Sequence, residues 1–213
     1  MREPEVRLYR RDEAITFRKT TEDFGGLSNM APGFPIRLLG HRIRTSEALY
    51  QACRFPHLPE VQRLIVAENS PMTAKMRSKP HRHDSRPDWD DVRVPIMKWC
   101  LRLKLLNNWS RFSGLLLATG DRPIVEDSRK DDYWGAKPTS EDELEGRNVL
   151  GRLLMELREK LRNNPASLQC VKPVPVPDFL LFNEPIGSVE HPTDAPSKEV
   201  GARGQAGGQA AFI

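Results

Sequence analysis

The stretch Thr45-Ser46-Glu47-Ala48-Leu49-Tyr50-Gln51-Ala52-Cys53-Arg54-Phe55 constrains the fold most, because its side chains sort into coherent faces only if it is helical. Thr45 is a natural N-cap whose hydroxyl accepts from a free amide of the first turn, so Glu47 lies within that turn. Glu47, Tyr50, Gln51 and Arg54 then share one stripe, and Ala48, Leu49, Ala52 and Cys53 form an apolar stripe beside it. The apolar stripe needs partners to bury it. A first-turn glutamate complements the helix dipole, and on this stretch alone that is the better account of Glu47.

Partners follow from the rest of the chain. Residues 14 to 17 read as a short strand, and 35 to 43 as a hairpin turning at Gly40 that delivers the chain to Thr45. Between them, Phe24-Gly25-Gly26-Leu27-Ser28-Asn29 carries two glycines, which suit a plain turn or a pocket wall that another group approaches closely. Val61, Leu64 and Ile65 mark a helix within 59 to 68, and Ser70-Pro71 caps the next one, which carries Lys75. Trp89, Val92, Ile96, Met97, Cys100, Leu101 and Leu105 trace a longer helix ending near Asn107-Asn108, which Pro95 interrupts, so that either its first turn is separate or the helix proper starts near Pro95. Lys104, near its far end, complements the dipole.

A helix over about 110 to 118 and a strand over 123 to 126 lead into the polar loop Asp127-Ser128-Arg129-Lys130-Asp131-Asp132-Tyr133-Trp134-Gly135. Loops between regular elements are where function concentrates, although Tyr133 and Trp134 also suit a surface turn that plugs the core edge. A last helix over about 148 to 162 aligns Val149, Leu150, Leu153, Leu154, Leu157 and Leu161 on one side. From about residue 163 prolines recur, and 164 to 213 reads as a largely disordered tail in which Asp178-Phe179-Leu180-Leu181-Phe182 is an apolar island that folds back onto the domain or docks on a partner, folding back being the better account.

With 213 residues, one domain over 1 to 163 plus this appendage accounts for the chain. The start has no apolar signal segment and the longest apolar run is a few residues around Leu115, so a soluble, cytoplasmic protein is expected. Cys53, Cys100 and Cys170 lack any C-x-x-C pairing, and His81 and His83 lack a convincing carboxylate or cysteine partner set, so no metal site or disulfide framework is expected. Net charge is +4, with the densest basic run at Lys75, Arg77, Lys79, Arg82 and Arg86. That run suits phosphates or a solvated loop equally well.

No P-loop, G-x-G-x-x-G, H-E-x-x-H or G-x-S-x-G is present, which weakens kinase, dinucleotide-fold and zinc-hydrolase readings. A first-turn glutamate, an Asp-rich loop with Trp134, the Gly-Gly segment with Asn29, and several basic side chains point instead to a ligand containing an anion and a ring. A carboxylate stabilises an oxocarbenium-like centre or holds a ribose diol, an aromatic stacks on a base, and basic groups cradle phosphate.

The ordered set Phe17, Leu27-Ser28-Asn29, Ser46-Glu47 with Tyr50-Gln51-Ala52, Arg54-Phe55, Trp89, Met97, Lys104, Glu126, Asp131, Tyr133-Trp134-Gly135, Gly146-Arg147-Asn148 and Leu150-Gly151 resembles the NADAR family of YbiA-like N-glycosidases, over about residues 14 to 161. The resemblance implies a compact, predominantly helical α+β domain that cleaves N-glycosidic bonds of ribose-phosphate or ADP-ribose compounds without a cofactor. It carries the family's catalytic glutamate onto Glu47 and its Asp-x-x-Trp onto Asp131 and Trp134. Arg18, Asn29, Tyr50, Gln51, Arg54, Lys75, Lys104 and Gly135 are the expected ligand-binding residues. Ala48, Arg54 and Met30 depart from common family residues at pocket walls, so they bear on substrate choice more than reaction class. The Ser46-to-Phe55 form looks like the branch accompanying DNA-guanine ADP-ribosylating toxins, which implies ADP-ribosylated DNA as substrate and a cognate ADP-ribosyltransferase toxin as partner. The alternatives are phosphorylated riboflavin-synthesis intermediates as substrate, or a non-catalytic ADP-ribose-binding module.

On this reading Glu47, kept ionised by nearby helix amides, faces the cationic ribose, and Asp131 does the proton work, with the reverse assignment open. If the ribose opens to an aldehyde, Lys75 or Lys104 could trap it as a Schiff base.

Overall fold

The computed structural model of the chain describes residues 4–191. In order, these form strands β1 (Arg7–Arg10) and β2 (Ile15–Phe17), a 3-10 turn (Gly25–Leu27), and hairpin strands β3 (Ile36–Leu38) and β4 (His41–Ile43). Helices α1 (Ser46–Ala52), α2 (Pro59–Ala67) and α3 (Pro71–Ser78) follow, then a 3-10 segment (Lys79–Asp84), α4 (Trp89–Asn107) and α5 (Trp109–Leu117). Strands β5 (Ile124–Glu126), β6 (Lys137–Pro138) and β7 (Glu143–Gly146) precede α6 (Val149–Asn163), and a 3-10 turn (Pro165–Leu168) leads to β8 (Cys170–Val171), β9 (Leu180–Leu181), β10 (Glu184–Pro185) and β11 (Val189–Glu190). The architecture is the α+β, mainly helical fold expected.

Local signals explain most boundaries. The Thr45 hydroxyl accepts from the Ala48 amide at 3.2 Å, as its N-cap position requires. Prolines stand first in α2 and α3, where a missing amide proton matters least. Pro95 does not split α4, which runs unbroken from Trp89; in the second turn it forgoes one backbone bond that the long buried face of the helix outweighs. The basic run from Lys75 lies on α3 and the 3-10 segment after it, except Arg86, which stands in the irregular chain before α4.

Burial organises the helices around α1. All seven of its residues are buried, the polar stripe included, so both of its faces point inward. Leu49, Phe55, Ile65, Ile96, Met97, Leu101 and Phe112 fill the core beside it. Two parallel strands supply the other wall: β2 pairs with β5 in a register that sets Phe17 opposite Glu126. A further sheet, β1-β7-β6, has antiparallel pairing throughout. Its strands carry mostly charged side chains, and only Tyr9 and Leu144 turn inward, which is why no alternating apolar pattern announced them.

Disorder from residue 164 onward does not hold as far as residue 191. Leu168, Val171, Val174, Phe179, Leu181, Phe182 and Ile186 are all buried against the helices, and β8 pairs with β11. The fully buried Gln62 fastens this strap: its Oε1 accepts from the Phe182 amide at 2.6 Å and its Nε2 donates to the Leu180 carbonyl at 3.0 Å. Phe179 packs edge-on to Trp99, so the island at 178 to 182 folds back onto the domain. Prolines keep the strap extended, while single apolar residues between them reach the core. The remainder of the expected tail, 192 to 213, lies outside the described residues. Among the described residues no helix is long and apolar enough to cross a membrane.

Candidate active site

Glu47 is 3% exposed, yet each of its oxygens has a donor. Asn29 Nδ2 donates to Oε2 at 2.6 Å and Gln51 Nε2 donates to Oε1 at 2.9 Å. Gln51 comes from one turn further along α1, whereas Asn29 comes from the Gly-Gly segment, whose Asn29 carbonyl also accepts the Glu47 amide at 2.9 Å. Gly25 is obligatory there, since a Cβ would run into the Lys19 and Thr20 backbone.

Lys104 shapes that segment from below. Its ammonium donates to the Gly26 carbonyl at 2.6 Å and the Ser28 carbonyl at 2.8 Å, and lies over the Phe34 and Phe112 rings. The side chain is 1% exposed, and burial, with Arg111 nearby, pushes its pKa well below the ordinary lysine value. Besides standing in the last turn of α4, where it complements the dipole, it thus fixes the loop that presents Asn29.

Asp131 organises the opposite wall. Its Oδ1 accepts from the Tyr133 amide at 3.0 Å and the Trp134 amide at 2.9 Å, which bends the loop into a tight turn. The Tyr133 and Trp134 carbonyls in turn accept the Val149 and Leu150 amides, so the loop covers the otherwise free N-terminus of α6. Gly135 must lack a side chain, since a Cβ would stand 2.5 Å from the Glu126 carbonyl oxygen. Trp134 packs edge-on against Tyr50 at 5.6 Å, and Tyr50 meets Trp89 at 5.0 Å, with the Arg54 guanidinium 4.5 Å over the Trp89 ring. Aromatic contact thereby locks the loop to α1.

Electrostatics join the two walls. Burial pushes the Glu47 carboxyl up, against the opposing pull of Lys75, the Gln51 hydrogen bond and Arg54, and Asp131 adds a further push upward. Helix amides alone do not decide its charge, contrary to the expectation from its first-turn position; desolvation outweighs them. Glu126, at the carboxyl end of β5, is pushed up to about 7 by burial, then by Asp131 and Glu47, with Lys75 opposing. Burial and Glu47 likewise raise the Tyr50 phenol above its usual range. The site therefore gathers Glu47, Glu126 and Asp131 with Lys75 as a cation acting on the two glutamates, walled by Asn29, Tyr50, Gln51, Arg54, Trp134 and Gly135. Arg18 is exposed instead, lining a cavity of about 390 Å³ with Arg11, Phe17 and Asp127. No group of three or more His, Cys, Asp or Glu among the described residues is placed to hold a metal ion.

With this geometry in view, comparison with known proteins is decisive on one point: residues 16–162 match the NADAR domain. The chain belongs to the NADAR family. It is 35% identical over 153 residues to N-glycosidase YbiA of Escherichia coli strain K12, an alignment covering 70% of this chain and 89% of that protein. It is 34% identical over 160 residues to riboflavin biosynthesis protein VVA0006 of Vibrio vulnificus, covering 75% of this chain but 42% of the longer relative. The NMR structure of the E. coli protein YbiA superposes with a TM-score of 0.62 at 34% identity, over 73% of this chain and 88% of that one.

Within this NADAR domain two residues escaped the reading of the sequence as site residues. Glu126 ends a short apolar strand just before the Asp-rich loop, the position at which a parallel strand delivers side chains to a site. Asn148 is fully buried in a left-handed conformation (φ 48°), accepts the Glu126 amide at 3.3 Å and donates to the Ile124 carbonyl at 2.8 Å, thereby fixing β5 against α6. Left-handed backbone is tolerated by asparagine more than by most residues, which suits Asn148 to this position.

Proposed function

We propose that this NADAR protein is an N-glycoside hydrolase, and that its substrate is ADP-ribose joined to guanine in DNA. What supports the reaction class most is the desolvated Glu47 carboxylate, gripped by Asn29 and Gln51 and accompanied by two further carboxyls and Lys75. Cleavage of a glycosidic C–N bond leaves positive charge on the anomeric carbon, and a carboxylate fixed in a poorly solvated wall stabilises that charge far more than one in water. Glu47 takes this part. Its two amide partners hold the carboxylate in place, so no reorganisation is needed as charge develops. Asp131 holds the turn that carries Trp134, with one oxygen committed to backbone amides and the other left to position substrate or water. Tyr50 and Trp134 offer ring faces and edges to a base, and Lys75 and Arg54 offer positive charge to phosphate.

ADP-ribosylated guanine as substrate rests on the form of the Ser46-to-Phe55 stretch, and a cognate toxin would accompany it. A second substrate class, phosphorylated riboflavin-synthesis intermediates, is favoured by a different observation, the similarity to proteins named for riboflavin biosynthesis. Purified protein is offered an oligonucleotide carrying ADP-ribosylated guanine and, in parallel, phosphorylated riboflavin-pathway intermediates. Release of ADP-ribose from the first alone supports the lead reading; cleavage of the second alone transfers the assignment to the alternative. Tight ADP-ribose binding with no product from either would make the protein a reader and end the enzymatic reading.

A further inference from the structure

The three carboxyls of the site differ in what already occupies them. Both Glu47 oxygens accept from side-chain amides, and one Asp131 oxygen accepts from two backbone amides. Lone pairs engaged by N–H donors favour the anion, and on Glu47 they oppose the upward push of burial. Glu126 is built the other way round. Its backbone is pinned on both sides, the amide to Asn148 Oδ1 at 3.3 Å and the carbonyl to the Ala136 amide at 2.9 Å, and its strand is paired with β2. Its carboxyl has no hydrogen bond or ion pair with any described residue, and the side chain is only partly buried, so a ligand can reach it. The charged groups acting on it come from three elements: Glu47 on α1, Asp131 on the loop, and Lys75 on α3.

We propose that Glu126 is the catalytic acid of this site, the carboxyl that hands its proton to the departing nitrogen. The proposal rests on the N-glycosidase reading and assigns to Glu126 the proton work first expected of Asp131. Two neighbouring negative charges favour the protonated form of Glu126, and with its carboxyl pushed up to about 7 a substantial fraction carries a proton at neutral pH. In the step itself the C1′–N bond breaks with its electron pair left on nitrogen, and nitrogen takes the Glu126 proton. The cationic C1′ is met by the Glu47 carboxylate on its side of the pocket. Water then adds to C1′, its spare proton leaves to solvent, and Glu126 regains one from solvent, so the net reaction is hydrolysis.

The test is Glu126→Gln, which keeps the volume and removes the acid. On an N-glycoside that wild type cleaves, kcat is expected to fall about 100-fold or more, with KM changed less than about 3-fold, and the loss of wild-type rate as pH rises through neutrality is expected to vanish. On a nitrophenyl ribofuranoside 5-phosphate, whose leaving group departs as a stable anion, the variant is expected to stay within about 3-fold of wild type. A variant with wild-type rate and pH profile on the N-glycoside overturns the role of Glu126 while leaving the N-glycosidase reading intact. A wild-type protein that cleaves no N-glycoside overturns that reading and this one with it. If the variant folds poorly, ¹³C-carboxyl titration decides: a glutamate resonance moving near pH 7 that persists in Glu47→Gln supports the proposal, and its absence from that variant overturns it.

Discussion

Glu126 lies within the field of Glu47, and the two carboxyls are held in opposite ways. On the α1 wall the carboxyl is gripped and its neighbours are built around it: Asn29 and Gln51 on its oxygens, Lys104 beneath the Asn29 loop, Thr45 capping the helix. On the β5 wall the backbone is gripped and the carboxyl is left free. Burial raises both carboxyls, and the contrast lies in what opposes it: side-chain amides on the oxygens of Glu47, with Lys75 and Arg54, favour its charged form, whereas Glu126 has no such donor and Lys75 alone opposes burial there.

The comparison breaks most visibly at Glu47. Replacing it with Gln is expected to lower N-glycoside turnover by at least about 10³-fold, roughly 4 kcal/mol in the barrier, while calorimetry still records ADP-ribose binding. Full activity in that variant would remove Glu47 from the mechanism. Next comes Lys104→Ala, which strips the Gly26 and Ser28 carbonyls of their donor and leaves a cavity against Phe34 and Phe112. Urea unfolding should show a loss of about 3 kcal/mol. Unchanged stability would mean that the loop holds Asn29 without it.

Glu126→Gln sharpens the contrast through pH. The folded carboxyl titrates near 7, above the ordinary 4.5, so between those values the folded state binds more protons than the unfolded one and stability falls as pH rises. Below about pH 4.5 the variant should match wild type, and by pH 8 it should be more stable by on the order of 2 kcal/mol, less than the full shift implies because the side chain is partly exposed. Denaturant melts at pH 4.5 and 8 check this; a gain at the lower pH alone reverses the sign and the idea. The smallest effect is Thr45→Ala, about 1 kcal/mol from the lost cap, read as a shift of the urea midpoint with an unchanged slope.

Much of this molecule was legible in the chain. Caps placed α1 and α3, apolar spacing placed α2, α4 and α6, and the glycine turn at Gly40 placed the first hairpin. Glu47, Asn29, Asp131 and Trp134 were legible as candidates because a capped helix, a Gly-Gly segment and an Asp-rich aromatic loop each leave a local mark. The hold of Lys104 on the Gly26 and Ser28 carbonyls was not legible, because spacing locates a lysine on a helix without saying what that face meets. The strap was misread for a related reason: frequent prolines signal extended backbone, and extended backbone with isolated apolar residues packs on a surface as readily as it stays disordered. Strands β1 and β7 were unannounced because their charged side chains hide a pairing that only a distant partner reveals.

Local sequence therefore determined the helices, their capped starts and the residue types available for chemistry, since hydrogen bonds within a turn and the burial of one stripe need only neighbours along the chain. Tertiary structure alone decided that the polar face of α1 is buried as well, that β2 and β5 pair in parallel, and that Glu126 comes within the field of Glu47, Asp131 and Lys75. Those outcomes depend on desolvation and on charges separated by tens of residues, and both arise only once the chain has closed around them.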